Sequence, residues 1–253
     1  MPKSFTLSHP AIDILCEELE LDPAPFPFEI PWHGRTEPER DDIRAMVLAE
    51  LEQRGLTFEG RTADSLDEAV VLFAHPDIAV TLFGQLDQGT RVVARICSDG
   101  RRTIRATGQD DGVYFERLPG DSLISGALDL VPETSAGDGE TVILPLEPEP
   151  HADEGMSAMV RTSRSRAAVR THAAETLLAQ AKLRFGQFRI TVRHPDGGHE
   201  HGPDLFWFDT EAGRYVTYSS TTEDGRPATT IGPVDSPGLR RLLKSHLNQL
   251  IGD

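Results

Sequence analysis

Apolar positions in this chain recur at two different periods, and the changes between them outline the elements. Ile12, Leu15, Cys16 and Leu19 fall at helical spacing and predict a short helix over residues 8–20. Pro23, Pro25, Pro27 and Pro31 then enforce extended chain, because each proline turns its predecessor away from helix. Phe26, Phe28, Ile30 and Trp32 alternate within that segment, as in an apolar strap laid over a core. Thr36-Glu37-Pro38-Glu39 is a capping box with proline in the first turn, and it opens a helix with Ile43, Val47 and Leu51 on one face and Gly55 as its stop. Ser65-Leu66-Asp67-Glu68 reads as a second capping box, for a helix that carries Leu66, Val70 and Phe73 and stops before Pro76.

Period two then takes over. Asp77–Phe83, Arg91–Cys97, Arg102–Thr107 and Val113–Leu118 read as strands, with hairpin turns at Ser98-Asp99-Gly100 and Asp110-Asp111-Gly112. Residues 120–130 read as helix, Glu133–Gly139 as loop and Thr141–Leu144 as strand. An acidic, proline-rich linker over residues 145–155 leads to a long helix, Met159–Lys182, with Ala173, Leu177, Leu178 and Ala181 on one side. A second meander follows: Phe185–Arg193, Leu205–Asp209, Arg214–Ser219 and Ala228–Ile231, with His194–Pro203 as a turn. Asp235-Ser236-Pro237 caps a last helix bearing Leu239, Leu242, Leu243, Leu247, Leu250 and Ile251. The pattern predicts an α+β fold with a mostly antiparallel sheet and flanking helices. The expected organisation is one domain over residues 1–253, with quasi-symmetric halves 1–145 and 156–253 of the order helix, meander, helix.

Charge narrows the partners. The net charge is −16, yet residues 161–253 carry 13 Lys and Arg against 10 Asp and Glu, so the acidity sits in the first part. Such a surface repels phosphate backbones, and no nucleic-acid binding is expected. No apolar run is long enough to span a membrane and the start lacks a signal-peptide pattern, so a cytoplasmic protein is expected. Cys16 and Cys97 offer no disulfide framework and are expected as reduced, semi-buried thiols. Arg161, Arg164, Arg166 and Arg170 oppose the dipole at the start of the long helix, so acidic partners are expected for them, first within this chain.

Candidate chemistry is sparse. His194, His199 and His201 stand near Asp196, Glu200 and Asp204, the one metal-like group in the sequence, and a metal-dependent enzyme built on that loop is one reading. The spacing matches no helical zinc motif, and a solvated loop is the simpler account. No nucleophile elbow or phosphate loop is present, and Asp41-Asp42 and Asp110-Asp111 suit a helix start and a turn. Arg102–Ala106 and Arg189–Arg193 alternate as half-exposed antiparallel strands do, leaving one face for a partner.

A set of short motifs in order resembles the EspG family of type VII (ESX) secretion-associated proteins. They are Phe5-Thr6-Leu7-Ser8, Gly34-Arg35-Thr36-Glu37-Pro38-Glu39-Arg40, Arg54-Gly55-Leu56, Arg184-Phe185-Gly186-Gln187-Phe188, Asp209-Thr210, Gly213-Arg214-Tyr215 and Gly232-Pro233-Val234-Asp235. The resemblance implies a cytosolic, non-enzymatic chaperone without cofactor or metal. It implies a partner too: a helical export substrate, in mycobacterial members a PE–PPE heterodimer held by the PPE tip, then passed to the secretion machinery. The chaperone itself is expected as a monomer or loose dimer. In the family the tip lies on the central sheet and the C-terminal helical part, which implies Arg102, Ile104, Arg189, Thr191, Thr217, Ser219, Leu239 and Leu243 as partner-binding residues here. This chain is shorter and more acidic than mycobacterial members, so its helical substrate need not be a PE–PPE pair. An adaptor or immunity module unrelated to secretion is the remaining reading.

Overall fold

The computed structural model describes residues 3–21, 25–58, 61–146, 172 and 174–252. The class is α+β, built on antiparallel strand pairs. The chain divides into two compact units. The first holds residues 1–83, 92–130 and 190–201, and the second holds 84–91, 131–189 and 202–253.

In the first unit, β1 (Ser4–Ser8) runs directly into α1 (His9–Glu18), whose N-cap Ser8 accepts a hydrogen bond from the Ala11 N–H. Next come α2 (Glu37–Gln53), the small β2–β3 hairpin (Thr57–Phe58, Arg61–Thr62) and α3 (Asp64–Ala74). The meander is β4 (Ile78–Gln85), β5 (Arg91–Ser98), β6 (Thr103–Gln109) and β7 (Gly112–Leu118), and α4 (Leu123–Leu128) follows it. β1 closes onto the last strand, with Phe5 opposite Phe115 and Leu7 opposite Val113. Alternation places Leu7, Ile104, Ala106, Val113 and Phe115 on one face, where they join Ile12, Leu15, Leu51, Val70 and Phe73 in one core. Phe73 is its hub, meeting Phe28 at 5.1 Å and Phe115 at 5.3 Å between ring centroids. Cys16 and Cys97 are free and buried, and burial pushes both thiols up to about 11.

The second unit repeats the plan. β8 (Val142–Pro145) precedes helical residues 174–178, and the meander is β9 (Arg184–Arg193), β11 (Leu205–Thr210), β12 (Gly213–Thr221) and β13 (Pro227–Pro233). The edge strand β8 pairs with the last strand, Val142 opposite Ile231, as β1 pairs with β7. The last helix, here α5, spans Ser236–Ile251, with the Asp235 carboxylate accepting from the Gly238 N–H at 2.6 Å and Gly252 in the left-handed region as its stop.

Several expectations change. The strap buries only Phe28 and half-buries Ile30, while Phe26 and Trp32 are exposed at 54% and 66%; Arg40 stacks its guanidinium over Trp32 at 3.5 Å. The second capping box does not open its helix: α3 starts two residues earlier, with Ala63 at the N-cap and no side-chain cap. Asp64 and Asp67 in its first turn still favour the dipole. The turn His194–Pro203 contains β10 (His199–His201), which pairs with β9. The strand Thr141–Leu144 was read into the first half, yet β8 belongs with the second meander. The long helix ends by Leu178 and turns Ala174 and Leu177 inward, so Leu178 lies outside. Its start, the four arginines 161, 164, 166 and 170, Ala173 and most of the linker lie outside the described residues.

A buried charge pair ties the second unit together. Arg214 and Asp209 are 1% and 2% exposed, with Nε to Oδ1 at 2.7 Å and Nη2 to Oδ2 at 2.9 Å. Arg214 also donates to the Pro132 carbonyl at 2.8 Å and stands 4.9 Å from the Trp207 ring. Thr134 Oγ1 donates to Asp209 Oδ2 at 3.2 Å, and the Thr134 N–H donates to Ser236 Oγ at the start of α5. The pair thereby fixes residues 132–134 between sheet and helix. Asp209→Leu leaves an uncompensated buried guanidinium and should cost about 3–5 kcal/mol in denaturant unfolding. The double change Asp209→Leu/Arg214→Met should recover part of that loss; equal losses in both would show that the charge is not what matters.

Candidate functional site

The register of the second meander decides which side chains it can offer. Leu205, Trp207, Phe188, Val216 and Tyr218 share one face. The first four are buried, and Tyr218 meets His246 of α5 edge-on at 5.2 Å. Period two then sends Phe185, Gln187 and Arg189 of β9, Phe206 and Phe208 of β11, and Tyr215, Thr217 and Ser219 of β12 to the other face.

That second face is half covered. At one end Phe208 stacks on Tyr215 at 5.6 Å and both are buried with Ala174 and Ile231, beside half-buried Leu177. Around them the cover is incomplete. Phe185, opposite Phe208, and Phe206, opposite the buried Gln187, are each 45% exposed on neighbouring strands, diagonal to one another. Half-buried Thr217 lies opposite Phe206, and exposed Ser219 lies farther along β12. Arg189 is held flat by a two-pronged pair with Asp204, at 2.6 and 2.7 Å, which raises the Arg189 pKa. The result is an aromatic patch with a hydroxyl and ion-pair rim on a rigid sheet.

The predicted partner residues divide accordingly. Arg189, Thr217 and Ser219 share this face; Thr191 belongs to the first unit, where its hydroxyl meets His201 Nδ1 at 3.0 Å. Leu239 and Leu243 are buried at 0% and 1%, so they seat α5 and present nothing to a partner. Ile104, 3% exposed, is a core residue of the first unit for the same reason. Arg102 is exposed and pairs with Glu68 and Asp99. Phe185 and Phe206 were not singled out from sequence; the apolar run Leu205–Phe208, too uniform for a one-sided strand, was the available signal.

The histidine loop is a hairpin. His194 Nε2 meets Glu200 Oε2 at 2.9 Å, while His199 stands opposite Arg193. Among the described residues no group of three His, Cys, Asp or Glu side chains gathers as a metal site. No helix among them is long and apolar enough to cross a membrane.

His246 carries a pH signature. It is 6% exposed, and burial lowers its pKa from 6.5. The unfolded chain therefore binds the proton more tightly, and this stabilising contribution, intact above the unfolded value, is lost as pH falls below about 6.5. Chemical denaturation from pH 7.5 down to 5 should show a loss that shrinks in His246→Gln; an unchanged pH slope in that variant would refute the assignment.

Comparisons with known proteins bear on the family and the fold. The model of the EspG family matches residues 8–245. No curated relative matches the sequence. Among solved structures, the Mycobacterium tuberculosis type VII secretion system chaperone EspG5, in complex with the PE25–PPE41 dimer, superposes with a TM-score of 0.69. The match covers 97% of this chain and 96% of that one at 12% identity, a likeness of fold.

Proposed function

This chain belongs to the EspG family, and from that premise we propose that it is a cytosolic chaperone of a type VII secretion system. It binds a helical export substrate, PE–PPE-like in shape, keeps it soluble and delivers it to the secretion machinery. The observation that carries this reading is the half-covered sheet face on which Phe185 and Phe206 stand exposed. An exposed aromatic pair on a soluble domain is a liability unless a partner covers it. A rigid antiparallel sheet costs little ordering on binding, and an amphipathic helical tip supplies the matching apolar surface.

The relative solved with a PE25–PPE41 dimer supports the same substrate class. The role needs complementarity and no turnover, and the site offers aromatic rings, hydroxyls and a satisfied ion pair. A stable complex of this kind buries roughly 1,200–2,000 Å² in total, enough to cover the face and its rim.

The test is capture of the cognate substrate by the tagged full-length chain. Wild type should recover a helical export substrate in near-equal amount. Phe206→Asp, on a half-exposed position that should leave the fold intact by circular dichroism, should weaken capture by roughly tenfold or more, as loss of a central aromatic anchor does. Undiminished capture by a folded Phe206→Asp chain would place the substrate elsewhere.

A further inference from the structure

A second recognition feature lies in the first unit. α3 and the ends of β6 and β7 enclose a cleft of about 150 Å³ lined by Glu68, Arg101, Arg102 and Arg117 around Ala69, Leu72, Ile104 and Leu118. Three guanidiniums thus line the cleft with one carboxylate, Glu68, and a second, Asp99, pairs with Arg102 beside it, in a chain whose overall charge is −16.

The hydrogen-bond inventory shows what is left over. Glu68 Oε2 accepts from both Arg102 Nη1, at 2.9 Å, and Arg117 Nη2, at 3.1 Å. Arg102 also donates Nε and Nη2 to Asp99 Oδ2, at 2.9 and 2.8 Å. Asp99 in turn accepts the Arg101 and Arg102 backbone N–H groups, at 3.0 and 2.7 Å, which sets the turn that brings both side chains to the cleft. The Arg101 guanidinium itself has no hydrogen bond or ion pair among the described residues. Each guanidinium has five N–H donors, so Arg101 and Arg117 hold most of theirs unused. The floor is aliphatic: half-buried Leu118 offers most of it, and the core residues Ala69, Leu72 and Ile104 reach it only at their edges.

We propose that this cleft binds a carboxylate carried beside an apolar side chain, as on an acidic peptide segment of the protein partner. The apolar part fills the floor, and the carboxylate bridges Arg101 and Arg117 in the planar fork geometry that guanidinium favours. A bare anion would gain the rim and leave the floor wet, and a neutral apolar group would strand the free donors. The proposal rests on the reading that this chain binds another protein, and it names a second, charge-selective contact for that partner. It also explains how an acidic protein accepts an acidic segment: at a local excess of positive charge, three guanidiniums against Glu68 and Asp99.

Two measurements test it on the full chain. The first follows backbone amide shifts on adding N-acetyl-leucine, with N-acetyl-leucinamide and inorganic phosphate as comparisons at matched ionic strength. Saturable shifts confined to Arg101–Ile104 and Arg117–Leu118 with N-acetyl-leucine, roughly tenfold weaker with the amide or phosphate and absent in Arg101→Ala/Arg117→Ala, are expected. No saturable shift, or equal shifts with phosphate, meaning an adventitious ion only, would overturn it. The second is substrate capture by Arg101→Glu/Arg117→Glu, expected to fall roughly tenfold, more at low salt than high. Capture unchanged by that reversal overturns the cleft contact and leaves the chaperone reading standing. Failure of wild type to capture any substrate defeats the chaperone reading, and the N-acetyl-leucine titration still decides the cleft.

Discussion

Strand alternation is the constraint from which the second unit's surface follows. Once Leu205 and Trp207 of β11 are buried beside Val216 and Tyr218, the intervening Phe206 and Phe208 have no choice of side. One of them, Phe208, is covered by helical residues 174–177 and by Tyr215. The other is not. A one-residue slip would exchange the two faces entirely, so the open aromatic patch cannot be relieved locally without dismantling the core behind it. Its exposure is a consequence of the fold, and the fold is maintained by the buried Arg214–Asp209 pair, which anchors residues 132–134 beside the start of α5.

Each unit solves the edge problem of its meander in the same way. A short strand preceding a helix is laid on the last strand of the four, β1 on β7 and β8 on β13. That shared order is topological; the side chains differ. The first unit fills its core from three helices and the strap around Phe73, whereas the second uses the end of one helix on one face and α5 on the other. The second arrangement covers less, which is why the aromatic face lies there.

Much of this was legible in the sequence because caps and glycines act locally. Thr36, Asp235, Gly55 and Gly252 mark helix ends where the structure has them, and both Asp-Gly turns of the first meander connect the predicted strands. What escaped is what depends on distant partners. β10 is His-Glu-His, with no apolar alternation, and exists because β9 offers it a free edge. Ser65 looked like a cap, but the turn before α3 bonds Ala63 to Leu56 and starts the helix sooner. Leu239 and Leu243 stood out as an apolar stripe, and such a stripe is the part of a helix that a core consumes. Half-polar alternation is why Arg189, Thr217 and Ser219 could be placed together on one sheet face; the phenylalanines beside them, read alone, resembled core.

The central claim is that the open face of β9, β11 and β12 is where the helical substrate rests. Amide hydrogen exchange of the full chain, free and saturated with its captured substrate, tests this most directly. The account predicts slowed exchange at Phe185–Arg189, Leu205–Phe208 and Thr217–Ser219 in the complex, with the α1–α2 core of the first unit unchanged. Protection confined to other elements, with these three segments exchanging as in the free chain, would contradict it.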